Sequence, residues 1–160
     1  MRKFLAVLLL CVLLAGCATG QKTVLTDKRI DGPKVIALDA PRTPWTIEIE
    51  ARLKKAGFKV LRKSTLRKVT EQVTQQRTEQ FNEATADYVL VIEGHALMDA
   101  MHRCFGGGYQ FDYINAELVD VRANETLVSI NGSGYSEGCP PLAGTIYQDI
   151  VDGVNSVWAK

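Results

Sequence analysis

Two long stretches, Tyr109–Val121 and Thr126–Tyr135, are separated only by Arg122-Ala123-Asn124-Glu125. Both are rich in apolar, aromatic and β-branched residues, the composition of strands. A polar connection this short leaves two strands one arrangement, an antiparallel hairpin. Pairing brings the start of the first strand beside the end of the second, and Cys104 and Cys139 lie just outside those two ends. The alternation within the first strand is broken. Tyr109, Phe111 and Tyr113 share one parity, while Ile114, Ala116 and Leu118 share the other. Either a β-bulge near Tyr113 switches the inward face, or both faces are buried.

The hairpin follows an alternation of strand and helix signals. Val35-Ile36-Ala37-Leu38, within Lys34–Asp39, suits a buried strand. Thr43 is a candidate N-cap and Pro44 fits the first helical position; Glu48 and Glu50 lie towards that end. Lys54 and Lys55 fall in the last turn, with Gly57 just past it, and Ile49, Leu53 and Ala56 form the stripe expected to be buried. Phe58–Leu61 reads as a second strand. A long second helix is expected next, capped by Ser64 or Thr65, with Leu66, Val69, Val73 and Phe81 at roughly helical spacing. Asp87–Glu93 is a third, deeply buried strand, and a final helix is expected near Gly144–Trp158. Its inward residues are Ile146, Ile150, Val154 and Val157, widened by Tyr147, Val151 and Trp158. The expected fold is therefore α/β, a mixed five-stranded sheet in the order β-α-β-α-β-β-β-α with helices packed on it.

The first residues belong to a different category. Arg2 and Lys3 precede the apolar run Phe4–Ala15, which ends in Leu14-Ala15-Gly16-Cys17. The run is shorter than the ~20 residues that span a bilayer, so a secretory signal is expected, with an uncleaved anchor as the alternative. Leu-Ala-Gly-Cys resembles the signal of bacterial lipoproteins. That resemblance implies cleavage before Cys17, acylation of Cys17 and stable attachment through several acyl chains. Ala18 follows where an Asp would mark inner-membrane retention in enteric-type sorting, so the outer membrane is implied. The expected organisation is a signal over 1–16, an acylated N-terminus and flexible tether over 17–32, and one periplasmic domain over 33–160.

Cleavage takes Cys11 away with the signal, and acylation uses Cys17. Cys104 and Cys139 then remain in an oxidising compartment, where their places at the open end of the hairpin support a disulfide. Closing a loop of that size stabilises by ~4 kcal/mol in the chain-entropy account. The alternative is a zinc or copper site built from His95, His102, Cys104 and Cys139, with Met98 and Met101 nearby. Their spacing matches no closed zinc motif.

Removing Arg2 and Lys3 lowers the basic count from 19 to 17, against 18 acidic residues, and gives a net charge of −1. That balance does not point to nucleic acid. Lys54, Lys55, Lys59, Arg62, Lys63, Arg67 and Lys68 cluster locally; this is a solvated helix face or a contact for lipid headgroups or an acidic partner. Gly106-Gly107-Gly108 lacks the Lys-Ser/Thr of a phosphate-binding loop and precedes a strand, so a flexible or tightly bent connection is expected. Ser133, Ser136 and Glu137 flank Cys139 without a pattern of nucleophile and base. No catalytic residue and no cofactor is expected.

Glu117-Leu118-Val119-Asp120-Val121, a polar turn, then Leu127-Val128-Ser129-Ile130 is similar to the hairpin of periplasmic lipoprotein domains of the curli-secretion type. The related activators of penicillin-binding proteins look alike there. The order of elements is similar across most of the mature chain. The chain departs in Ala123-Asn124-Glu125, where a Thr-Gly-Glu-like turn is usual, and in the insertion around Cys104–Gly108. The resemblance implies action by binding proteins rather than by catalysis. The expected function is a non-catalytic, membrane-anchored accessory or assembly factor that binds an envelope protein or another copy of itself. Its expected contact surface is the loops Met101–Tyr109 and Ser136–Leu142 with the rings of Tyr109, Phe111, Tyr113 and Tyr135; core packing is the alternative for the rings. The competing class is a small-ligand or metal-binding lipoprotein using His95 and His102.

Overall fold

A computed structural model describes residues 20–62, 70–74, 77–80, 86–96 and 103–159. A six-stranded mixed sheet is built from β1 (Gln21–Val24), β2 (Val35–Asp39), β3 (Lys59–Arg62), β6 (Tyr88–Ala96), β7 (Gln110–Asp120) and β8 (Glu125–Tyr135). A separate antiparallel pair is formed by β4 (Thr70–Thr74) and β5 (Arg77–Gln80). The helices are α1 (Pro44–Lys55) and α2 (Ile146–Asn155). The sheet order is β1-β8-β7-β6-β2-β3. Strand β2 pairs in parallel with β3 and β6, whereas β6, β7, β8 and β1 are joined antiparallel. Among the described residues no helix is long and apolar enough to cross a membrane.

Helix α1 forms where its end signals lie. Thr43 Oγ1 accepts from the Thr46 N–H at 3.3 Å, and Thr46 Oγ1 accepts from the Thr43 N–H at 3.0 Å. At the other end Gly57 has φ +92°, and the N–H groups of Gly57 and Phe58 donate to the carbonyls of Lys54 and Leu53. Trp45, Thr46, Ile49 and Leu53 are buried, and Ala56 packs at the core's edge. The inward residues expected of α2, with Tyr147, Val151 and Trp158, are all buried. Both helices and the sheet share one core that includes Ile36, Leu90, Ile92, Leu118, Val128 and Ile130.

Two expectations about elements are corrected. The sheet has six strands rather than five, and two helices are described rather than three. Within the stretch expected as a second helix, Thr70–Thr74 and Arg77–Gln80 are strands. Thr70, Val73, Thr74 and Thr78 are β-branched and stiff at χ1, which weakens a helix and suits a pleated strand. Leu66, Val69 and Phe81 lie outside the described residues. The sixth sheet strand comes from the segment expected as a tether. From Gly20 onward that segment lies on the domain: β1 pairs with β8, Ile30 is 8% exposed, and Ile30 exchanges main-chain hydrogen bonds with Val157 and Ala159.

The broken parity of the hairpin is a bulge. One extra residue of β7 lies between Phe111 and Ile114, opposite Gly134 and Gly132 of β8 and beside His95 and Ala96 of β6. Asp112 and Tyr113 both point outward there, while Phe111 on one side and Ile114 on the other point inward. Tyr109 and Phe111 are therefore core residues, 3% and 2% exposed, and do not belong to a surface patch. Phe111 meets Trp45 edge-on at 5.4 Å and Tyr147 at 6.1 Å, which ties β7 to both helices. Of the four rings expected at a contact surface, Tyr113 is exposed and Tyr135 half-buried.

Candidate functional site: the disulfide-clamped loops

The open end of the hairpin is closed in three steps. The Ser136 N–H donates to the Tyr109 carbonyl at 2.8 Å, and the Tyr109 N–H donates to Ser136 Oγ at 2.9 Å. Further out, the Gly108 N–H donates to the Gly138 carbonyl at 3.1 Å. The disulfide Cys104–Cys139 then joins the two loops with a Cα–Cα distance of 4.8 Å. Two of the three consecutive glycines, Gly106 and Gly108, follow from this closeness, and Gly107 from its φ of +82°. A Cβ on Gly106 would lie 2.6 Å from the Gly138 carbonyl oxygen, and one on Gly108 2.6 Å from Cys139 Sγ. Gly106-Gly107-Gly108 is thus a site of close backbone approach, the tightly bent one of the two connections expected from its sequence.

With the loops fixed, their side chains divide sharply. Phe105, at the tip of the first loop, is fully exposed. Arg103 lies 4.8 Å above the Tyr109 ring and donates to the Gly107 carbonyl at 3.1 Å. Ser136, which flanks Cys139 in sequence, is buried, and its hydroxyl accepts from the Tyr109 N–H and donates to the Glu137 carbonyl at 3.1 Å. Ser133 is exposed on β8.

Glu137 connects the loops to the helices. Its carboxylate accepts from the N–H groups of Tyr147 and Gln148 at 3.1 and 2.9 Å, the first turn of α2. A carboxylate there satisfies donors that the helix cannot and meets the positive end of its dipole. Thr145, the residue at the N-cap position, makes no such bond. Arg52 of α1 lies 3.5 Å from Glu137 Oε1, donates to Glu48 Oε1 at 2.8 Å, and sits 5.7 Å over the Tyr147 ring. Between these groups lies a cleft of about 350 Å³, lined by Trp45, Glu48, Arg52, Arg103, Glu137 and Tyr147. Burial raises the Tyr147 phenol above its ordinary value, with the Ser136 hydroxyl opposing and the Glu137 charge adding. The phenol stays neutral, with its oxygen buried near the Ser136 hydroxyl.

The remaining candidates lie elsewhere. His95 Nδ1 is 2.6 Å from Asp112 Oδ2 on the bulge, with both side chains more than half exposed. Tyr113 pairs with His95 across the strands. Cys17, Met98, Met101 and His102 lie outside the described residues. Among the described residues, no three His, Cys, Asp or Glu side chains converge as a metal site would require. Sequence names Phe105 only as part of a loop, and Glu137 only as a residue flanking Cys139. Phe105 carried a signal, since a large apolar residue between a loop cysteine and three glycines has no neighbour in sequence to bury it. The role of Glu137 at the start of α2 carried none, because it depends on α2 meeting the loop.

No protein-family model matches the chain, and no curated protein matches it. Among solved structures, two of PelC from Paraburkholderia phytofirmans are similar, both described as dodecamers, one of them a single-site variant. They are 18% and 20% identical to this chain, with a TM-score of 0.48 in each case. The alignments cover 89% of this chain and 99% of those chains.

Proposed function

We propose that this chain is a non-catalytic accessory protein of the bacterial envelope, anchored at the outer membrane by acylation of Cys17, that binds another envelope protein through its disulfide-clamped loops. The observation that carries the reading is Phe105. A fully exposed aromatic on a loop held by a disulfide and backbone ladder is presented to a partner with little ordering left to do. Burying such a ring stabilises by about 1.5–3 kcal/mol, enough to anchor a contact. Arg103, stacked on Tyr109, and the charged cleft it lines with Gly106 and Gly107 of the same loop supply polar groups for a rim.

The test is crosslinking of the acylated protein in cells, followed by mass spectrometry of what co-purifies. A stoichiometric envelope protein that is retained by wild type and weakened 10- to 100-fold by Phe105→Ser supports the reading. Self-crosslinks that vanish with Phe105→Ser make a second copy the partner. The same products from wild type and variant overturn the assignment of the loops.

A further inference from the structure

On the far side of the domain, a groove of about 870 Å³ runs between the segment from β1 to Lys34 and the C-terminal end of α2. That volume is within the range of ligand sites. Three cations line it: Lys22, Arg29 and Lys34. Asp27 and Asp152 line it as well, yet no carboxylate among the described residues pairs with any of the three cations within 4.0 Å.

Part of this arrangement is structural. Arg29 donates to the Ser156 carbonyl, and Lys34 donates to Asn155 Oδ1 at 2.7 Å. These contacts place positive charge at the end of a helix with no basic residue in its last turn. They engage one donor of each group, whereas a guanidinium has five and an ammonium three. Lys22 makes no hydrogen bond or ion pair with a described residue and is exposed on β1. Beside the groove, Val24 and Leu25 are 44% and 57% exposed, an apolar pair flanked by cations.

The place of the groove in the chain identifies its occupant. Three peptide steps separate Cys17 from Gly20, a reach of roughly 11 Å when fully extended. Gly20 is fixed on the domain by the bond from its N–H to Asp149 Oδ2 at 2.7 Å. Lys22 follows two residues later. We infer that the groove seats the phosphate of an anionic phospholipid headgroup in the membrane that holds Cys17, with Val24 and Leu25 entering the interface. This rests on the anchor reading of Cys17.

The test uses the full acylated chain in nanodiscs of phosphatidylcholine alone, or of phosphatidylcholine mixed with phosphatidylglycerol. Amide exchange over residues 21–34 and 152–159 is the readout, and the mass of the N-terminal peptide reports acylation independently. Exchange there is expected to slow severalfold in the phosphatidylglycerol discs only. Lys22→Gln, at an exposed position whose side chain makes no hydrogen bond or ion pair with a described residue, should remove about fivefold of that slowing and leave exchange in the rest of the sheet unchanged. Equal exchange in both discs from an acylated chain overturns the inference while leaving the anchor intact. Equal slowing by soluble glycerol phosphate overturns the membrane assignment in favour of a free phosphate compound. A mass without acyl chains removes the anchor and the inference together.

Discussion

Removing the disulfide should cost the domain about as much as any single change available to it. Cys104 and Cys139 are 35 residues apart in sequence. The chain-entropy relation gives a loss of roughly 13 cal/mol/K from the denatured ensemble for a loop of that length, or about 4 kcal/mol at 25 °C. The folded state should change little. The Gly108–Gly138 and Tyr109–Ser136 hydrogen bonds hold the same end of the hairpin without the sulfurs. The comparison is urea unfolding of the oxidised protein against Cys104→Ser/Cys139→Ser, with amide exchange at Tyr109 and Ser136 as the check on native structure. The midpoint should fall, and the slope m should rise, because a denatured chain without the loop exposes more surface. A loss under about 1 kcal/mol with m unchanged would rule out loop closure as the source of the stabilisation. It would mean that the denatured chain already keeps the hairpin ends together.

Three smaller perturbations test other parts of the structure. Gly153→Ala should destabilise by about 1 kcal/mol in thermal unfolding: the new Cβ would lie 2.8 Å from Ile130 Cγ1, and overpacking costs 1–3 kcal/mol against about 1 gained in helix propensity. Ile130→Val in the same chain removes Cδ1, the other close contact at 2.9 Å, and should recover part of the loss. Glu137→Gln removes the charge at the α2 N-terminus and should cost about 1 kcal/mol in denaturant unfolding, with less loss at high salt. Glu50 is held below its ordinary value of 4.5 by the hydrogen bond from Lys54, with burial opposing and Arg62 adding. A depressed carboxyl stabilises the fold above its unfolded pKa and loses that contribution as pH falls through the folded value. Stability curves of wild type and Glu50→Gln should therefore differ at neutral pH and converge as pH falls below the ordinary carboxyl value of 4.5 and through the folded one.

What the sequence made legible is what local chemistry decides. Thr43, Pro44 and Gly57 mark α1 because caps and a left-handed C-terminal residue act within one turn. The hairpin was legible because a four-residue polar connection leaves its strands one arrangement. The bulge was half legible: the parity break between Phe111 and Ile114 requires a switch, but pairing with Gly132 and Gly134 shows where the extra residue sits. The segments that misled are those whose state is set from outside. Gln21–Val24 is exposed at every position and has no apolar alternation; it is a strand because the outer edge of β8 is open to its main chain. At the candidate site, the clamp followed from the places of Cys104 and Cys139. The engagement of Glu137 with α2 and the stacking of Arg103 on Tyr109 join residues that sequence spacing does not relate.

The most direct test of the account places a photo-crosslinking amino acid at position 105 of the acylated protein in cells, with position 47 as the control. Ile47 is 47% exposed on α1 and outside the clamped loops. The account predicts one discrete adduct from position 105, either with an envelope protein or with a second copy, and none of that mass from position 47. No adduct from 105, or the same adducts from both positions, would contradict it.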